Sequence, residues 1–357
     1  LAVVERWRAG EGDGWQSRLL YIGSSRGPEG AIVPRSGISF QGIDASQLRG
    51  VPLWRRIGGS AHMLRGFWQA FLAIRRFRPD ALLVTGGYVC APVALAAWIQ
   101  RRPILIYLPD LEPGLAIRAL SRLAARVAVS FDVARGFFPA HKVTVSGYPV
   151  RSRLLDANRA RSRETLGLPR EGKVLLVFGG SQGSHSINLA VADALEDLLR
   201  FCWVVHISGA RDWPWLEEKR EDLAPNLRER YHLHEYLHEE MIEALASADL
   251  ALARAGAATL GELPARGLPG ILVPYPYAGA HQERNADYLV DRGAAMKVHD
   301  GDLSGDKLLE SVRSILGDGD RLVEMSRKAG ELSRHDAADR LVQELRSISG
   351  DGLDKHV

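Results

Sequence analysis

The stretch VFGGSQGSHSIN, residues 177–188, has the residue types an oxyanion site needs. Gly179, Gly180 and Gly183 let a ligand approach the backbone, and Ser181 and Gln182 add hydrogen-bonding groups. The apolar run KVLLVF before them reads as a strand, and HSINLAVADALEDLL after them reads as a helix. A helix start presents N–H groups that lack intrahelical partners, and its dipole favours negative charge, so a phosphate is the expected guest. The dinucleotide fingerprint fails, because Ser181 stands where its second glycine belongs, and the Walker pattern fails for want of Gly-Lys-Ser/Thr. A merely tight strand-to-helix turn is the alternative.

A second junction, DLALARAGAATLGELPARGLPGILVPYP, repeats strand, Gly-containing turn, helix and strand. Glu262 falls on the first turns of that helix, where a carboxylate can accept both hydroxyls of a ribose; the alternative is a solvated helix Glu. In AGAHQERNADYLV, His281, Gln282 and Asn285 have the chemistry to bond sugar hydroxyls, or His281 and Asn285 simply cap a helix. HLHEYLH brings His232, His234 and His238 together, but the spacing fits no compact zinc pattern, so a strand edge running into a loop is expected and no metal site.

Such junctions need a scaffold of strands alternating with helices. RLLYIGS, DALLVTGG, PILIYLP, RVAVSF and KVTVSGYP read as strands in the first half, and KVLLVFGG, WVVHISG, YHLHEY, DLALARAG, GILVPYP and AAMKV in the second. Helical segments such as APVALAAWIQ and GLAIRALSRLAAR separate them. Short apolar strands alternating with helices imply parallel α/β sheets covered on both faces. With 357 residues, two doubly wound domains are expected, facing across a cleft at the carboxyl ends of their strands. RSRLLDANRARSRETLGLPREGK has no strand character and reads as the connection. The expected division is therefore 1–150, a linker 151–172, a second domain 173–340, and a helix end and tail 341–357.

No apolar run is long enough to span a membrane. Cys90 and Cys202 read as buried small hydrophobes rather than a disulfide framework. Residues 1–150 hold 19 Lys and Arg against 9 Asp and Glu, while the remainder holds 27 against 34. The basic half favours anionic partners. Residues 48–79 concentrate seven Arg and no acid, interleaved with Trp54, Phe67, Trp68 and Phe71, which suits an anionic lipid surface or, alternatively, a core helix with a solvated basic side. No motif supports nucleic-acid binding. LAVVERWRAG reads as the latter part of a helix without a cap, so about 20–30 further residues are expected upstream, holding a strand and its loop.

GGSQGS, RAGAATLGEL and LPGILVPYPYAGAHQERNA, in that order, resemble the C-terminal domain of MurG-type glycosyltransferases. TGGYVCAPVALAA, EPGLAIRALSRLAARVAVSF and VSGYPVR are similar to that family's acceptor-domain segments, so the resemblance covers almost the whole chain. It implies the GT-B fold and an inverting transfer of GlcNAc from UDP-GlcNAc to the 4-hydroxyl of undecaprenyl-pyrophosphoryl-MurNAc-pentapeptide. The enzyme would need no cofactor and would sit peripherally on the cytoplasmic side of the cell membrane, with anionic lipid meeting 48–79.

By resemblance, Ser181, Gln182 and Gly183 sit at the donor, Arg151 in GYPVR meets its diphosphate, and Tyr236 and Leu237 line the uracil. The Ala257–Glu262 turn, with Ala257 and Thr259, holds the nucleotide; Glu262 takes the ribose and Gln282 the sugar. The family's Gly-rich loop that ends in His lies upstream of Leu1, and its His-Glu-Gln-Asn stretch appears here as Tyr107-Leu108-Pro109-Asp110. Asp110 is the candidate base, with a turn or capping Asp as the alternative. A related lipid sugar transferase with another acceptor, a UDP-sugar-binding protein without catalysis and, more remotely, a nicotinamide dehydrogenase are the competing readings.

Overall fold

The computed structural model describes residues 1–10, 17–25, 27, 29–45, 53–180, 182–276 and 281–350, apart from the side chains of 31 and 53–62. Ser181, Trp54, Arg55 and Arg56 thus fall outside the described residues or side chains. The chain forms two compact units, Leu1–Pro149 with Asp336–Val357, and Val150–His335.

In the first unit, β1 (Leu20–Ser24) pairs in parallel with β2 (Ser39–Ile43). A separate parallel sheet runs β3 (Leu82–Val84), β4 (Ile104–Leu108), β5 (Arg126–Val129), β6 (Val143–Val145) in sequence order. β2 is the strand the sequence does not announce: SFQGI has no apolar run and alternates only weakly. β4 is buried throughout, and its two faces feed two cores. Ile104, Ile106 and Leu108 join Ala70 and Ile74 of helix Leu53–Phe77 and Val93, Ala96 and Ala97 of helix Cys90–Ile99. Leu105 and Tyr107, on the opposite face, meet Leu341 and Leu345 of helix Ala337–Ser349.

That last helix also covers helix Ala2–Ala9, where Arg6 pairs with Asp339 and the Arg346 guanidinium lies 5.3 Å above the Trp7 ring. Residues 336–340, counted with the second domain on sequence, therefore cluster with the first unit. The physical reason is the helix's apolar stripe, which completes the β4–β5 face.

The second unit is one six-stranded parallel sheet in the order β12-β11-β10-β7-β8-β9. The strands are β7 (Val174–Phe178), β8 (Trp203–Ile207), β9 (Tyr231–His234), β10 (Leu250–Ala253), β11 (Gly270–Leu272) and β12 (Ala295–Lys297). All six lie within the segments expected from sequence. Residues 151–172 contain helices Ser152–Asp156 and Arg159–Thr165, which belong to this unit. Arg163, 2% exposed, anchors them: it donates to Asp249 at 3.0 Å and to the carbonyls of Ser247 and Arg170, while Asp249 accepts from the Val174 amide at 2.8 Å. A buried arginine with every arm engaged fixes the chain entering β7.

Candidate functional site

Strand order reverses between β7 and β10, because β8 follows on one side of β7 and β10 lies on the other. Ligands of open α/β sheets bind beyond the carboxyl ends of the strands at such a switch point. The two motif loops leave from these two strands. Residues 179–184 follow β7 and lead into helix His185–Asp193, and residues 254–258 follow β10 and lead into helix Thr259–Ala265.

The glycines of the first loop divide their work. Gly183, at φ +76°, packs so tightly on the neighbouring loop that an added Cβ would lie 2.0 Å from the Ser208 carbonyl oxygen. Gly180, at φ +92°, opens on empty space. Close approach by a ligand is thus confined to part of the loop, and the protein's own backbone requires the rest. Gln182 is exposed, and its carbonyl faces Gly209 after β8.

Arg254 stitches the two loops together. It donates to Ser186 Oγ in the first turn of helix His185–Asp193 at 2.8 Å, to the Val273 carbonyl at 3.1 Å, and pairs with Asp300, which also accepts from Ser186 at 2.6 Å. Thr259 is buried and spends its hydroxyl on the Arg254 carbonyl at 2.8 Å. Asn285 is buried too and donates to the Ala255 carbonyl at 2.9 Å, so its side-chain NH2 ties helix His281–Val290 to the β10 exit. Gln282 accepts from the Tyr275 amide at 3.0 Å, and His281 is exposed at the helix start. Sequence reasoning missed Arg254, although a charged residue directly after the apolar LALA strand was a signal that could have marked it.

A second set of contacts gathers around Arg151. The residue precedes helix Ser152–Asp156, which packs against helices Met241–Ser247 and Thr259–Ala265, and Arg266 fastens it by donating to the Leu154 carbonyl at 3.1 Å. Arg151 thereby comes beside Glu262 and beside Glu239 in the loop after β9. Burial pushes the half-buried Glu262 carboxyl up, and the Arg151 charge opposes that rise. Leu237 is half-buried in the same loop, between exposed Tyr236 and His238, whose rings meet edge to face at 4.7 Å. Ala257 lies half-buried ahead of Thr259. Arg151, Glu262 and the loop carrying Leu237 are therefore neighbours, whereas Gln282 is tied to the β11 exit.

Beneath the first loop runs a polar chain that joins His185 and Asn188 of the opening stretch to residues outside every motif. His206 bonds Tyr231 OH at 2.8 Å and Asn188 Oδ1 at 3.0 Å, and Asn188 Nδ2 donates to Asp212 at 2.8 Å. Asp212 also receives Trp215 Nε1 at 3.2 Å and His185 Nδ1 at 2.9 Å. Burial pushes Asp212 up, but hydrogen bonds from Asn188, Trp215 and His185 outweigh it and hold the carboxyl below its usual range. Burial also drives the His206 imidazole down to about 3. His232 and His234 share one face of edge strand β9 and are lowered by burial, by nearby Arg220 and, for His232, by His234. Among the described residues no group of three potential metal ligands occurs.

In the first unit, Tyr107 and Leu108 are buried, with Tyr107 OH 2.7 Å from Ser130 Oγ, so from that four-residue stretch only Pro109 and Asp110 reach the surface. The aromatic residues of 48–79 separate: Phe67 and Phe71 pack on the core, and Trp68 is 54% exposed. Leu64 and Leu72 continue its outward stripe, and Leu95, Trp98 and Ile99 are exposed on the adjoining helix. No helix among the described residues is long and apolar enough to cross a membrane.

Residues 174–341 match the glycosyltransferase family 28 C-terminal domain, and residues 11–129 match the glycosyltransferase family 28 N-terminal domain. A Roseiflexus sp. (strain RS-1) protein named UDP-N-acetylglucosamine--N-acetylmuramyl-(pentapeptide) pyrophosphoryl-undecaprenol N-acetylglucosamine transferase is 40% identical over 92% of this chain and 83% of its own. A protein of the same name from Desulforudis audaxviator is 38% identical over 94% of this chain and 91% of its own. The crystal structure of Acinetobacter baumannii MurG superposes with a TM-score of 0.72 at 26% identity, covering 97% of this chain and 94% of that one. With both domain matches in order and curated relatives this similar along nearly their full lengths, the chain belongs to glycosyltransferase family 28, among its MurG-type N-acetylglucosaminyltransferases.

Proposed function

We propose that the protein transfers GlcNAc from UDP-GlcNAc to the 4-hydroxyl of lipid-linked MurNAc-pentapeptide, with inversion at C1. The observation that carries this reading is the convergence of two family motifs, residues 179–184 and 257–262, on the switch point of the second unit's sheet. Ser181 and Gln182 meet the donor, as the resemblance implies, and Gly180 leaves room for a phosphate at the start of helix His185–Asp193. Glu262 accepts the ribose hydroxyls, and Leu237 lines the base. Arg151 neutralises the charge that the departing UDP gains, a contribution largest in the transition state. Asp110 is the one carboxylate of the acceptor stretch at the surface and is proposed as the base that takes the hydroxyl proton.

Transfer of labelled GlcNAc to a detergent-solubilised lipid-linked MurNAc-pentapeptide, with UDP calorimetry alongside, tests the reading. Arg151→Ala is expected to lower kcat as well as donor affinity. UDP binding without transfer would leave a binding protein, and unchanged kinetics in Arg151→Ala would refute the donor assignment. A different acceptor is the second reading, favoured by Leu108 and Asp110 standing where the resemblance expects Glu and Asn. Transfer to another lipid-linked sugar in preference to MurNAc would establish it.

The acceptor's lipid chain places the first unit at the cytoplasmic membrane surface in this reading. Support comes from Leu64, Trp68, Leu72 and Trp98, which are exposed on neighbouring helices, and from Arg75, Arg76 and Arg101 exposed on the same segments.

A further inference from the structure

Arg151, the side chain assigned above to the donor diphosphate, already holds an anion. Its Nη1 lies 3.2 Å from Glu239 Oε1, and Arg153 Nη1 donates to Glu239 Oε2 at 2.8 Å. A single carboxylate thus spans two guanidinium groups, one oxygen to each. Guanidinium forks bind carboxylates and phosphates through the same hydrogen-bond pattern, so the two anions compete for one place. Glu239 is suited to leave: it sits in the loop after β9, and its side chain is 64% exposed. Arg153 keeps a second tether, 3.5 Å from Glu243 Oε1, which holds it near Arg151 when Glu239 departs.

We propose that Arg151 and Arg153 form a paired phosphate site that Glu239 occupies in the free protein and vacates when the nucleotide diphosphate binds. Arg153 is then a further donor-binding residue, and Glu239 lowers donor affinity. This inference rests on the assignment of Arg151 to the diphosphate. It reverses the usual expectation for a side chain in a binding site, because removing Glu239 should improve binding.

UDP and phosphate-free uridine are titrated into the full chain and its variants. Glu239→Gln and Glu239→Ala are expected to tighten UDP about two- to thirtyfold, the range of an exposed ion pair made twice, and to leave uridine unchanged. Arg153→Ala should weaken UDP. Loss of a negative charge near any dianion also helps binding, so two controls separate that effect. Glu240→Gln, on the adjacent exposed residue, should change little, and the gain from Glu239→Ala should vanish in an Arg151→Ala, Arg153→Ala background. Unchanged or weaker UDP binding in both Glu239 variants overturns the proposal, as does an equal gain from Glu240→Gln or a gain that persists without the arginines. If Arg151→Ala alone binds UDP like the wild type, the assignment of Arg151 itself has failed, a result distinct from the others.

Discussion

Glu262 joins an expectation from sequence to an observed position in the fold. Its type and its distance from the β10 strand end suggested a ribose partner, and the fold sets it half-buried beside Arg151 at the sheet's switch point. Burial raises the cost of its charge, and in the proposed function ribose hydroxyls would replace the lost hydration. Glu262→Gln is expected to weaken UDP binding by about 1–3 kcal/mol, measured by calorimetry, because a charge-assisted bond becomes a neutral one. Residues at strand exits were legible as candidates because their chemistry and local spacing mark them. Arg254, Asp212 and Asn188 were not, because their meaning lies in partners far along the chain: Arg254 with Asp300 and Ser186, Asp212 with His185 and Asn188. Asn285, a residue with sugar-binding chemistry, is buried and donates to the Ala255 carbonyl, a tie that its place in the sequence does not announce.

At the level of elements, the loop after β7 is held from below. Gly183→Ala should destabilise the second unit by about 1–3 kcal/mol in urea unfolding, because a left-handed φ and a contact with the Ser208 carbonyl both resist a Cβ. The His206 chain beneath it makes stability depend on pH. Above its ordinary value of 6.5 the ring is neutral whether folded or unfolded. As pH falls below 6.5, the unfolded ring takes a proton that the folded one, held down to about 3, does not. Stability should therefore fall by about 2 kcal/mol between pH 6.5 and pH 5 on this account, with His232 and His234 adding in the same direction. Urea midpoints at the two pH values should show a smaller drop in His206→Gln than in the wild type. Strands with apolar runs were readable from sequence, and β2 was not, because pairing with β1 rather than its own pattern makes SFQGI a strand.

For the whole molecule, the uneven charge and the exposed apolar stripe make one joint prediction. Binding to anionic vesicles should exceed binding to neutral ones and fall with salt, since arginines near anionic headgroups gain roughly 1 kcal/mol each, screened beyond about 8 Å at physiological salt. Trp68→Ala with Trp98→Ala should reduce the part that salt leaves, and Arg75→Glu with Arg76→Glu the part that salt removes, in vesicle co-sedimentation at two ionic strengths. Indifference of the wild type to both vesicle types would leave helix Leu53–Phe77 as a core helix with a solvated basic side. The sequence pattern foretold parallel α/β layers, because buried strands between helices admit few other arrangements. It did not foretell that Phe67 and Phe71 turn inward while Trp68 turns out, since all three sit in one basic segment and only packing on Ile74 and its neighbours sorts them.

The helix Ala337–Ser349 makes synthesis order matter. Leu105 and Tyr107 are translated early, yet the residues that cover them, Leu341 and Leu345, emerge only after all of Val150–His335. At roughly 5–20 residues per second, the face of β4 and β5 waits on the order of ten seconds or more on the ribosome without its lid. The second unit, contiguous in the chain, has no such delay. Nascent chains should therefore carry one finished body and one with an apolar surface that invites chaperones. A chain stopped at His335 should keep the cooperative unfolding of the second unit, while the first binds a hydrophobic dye and is cut readily by protease.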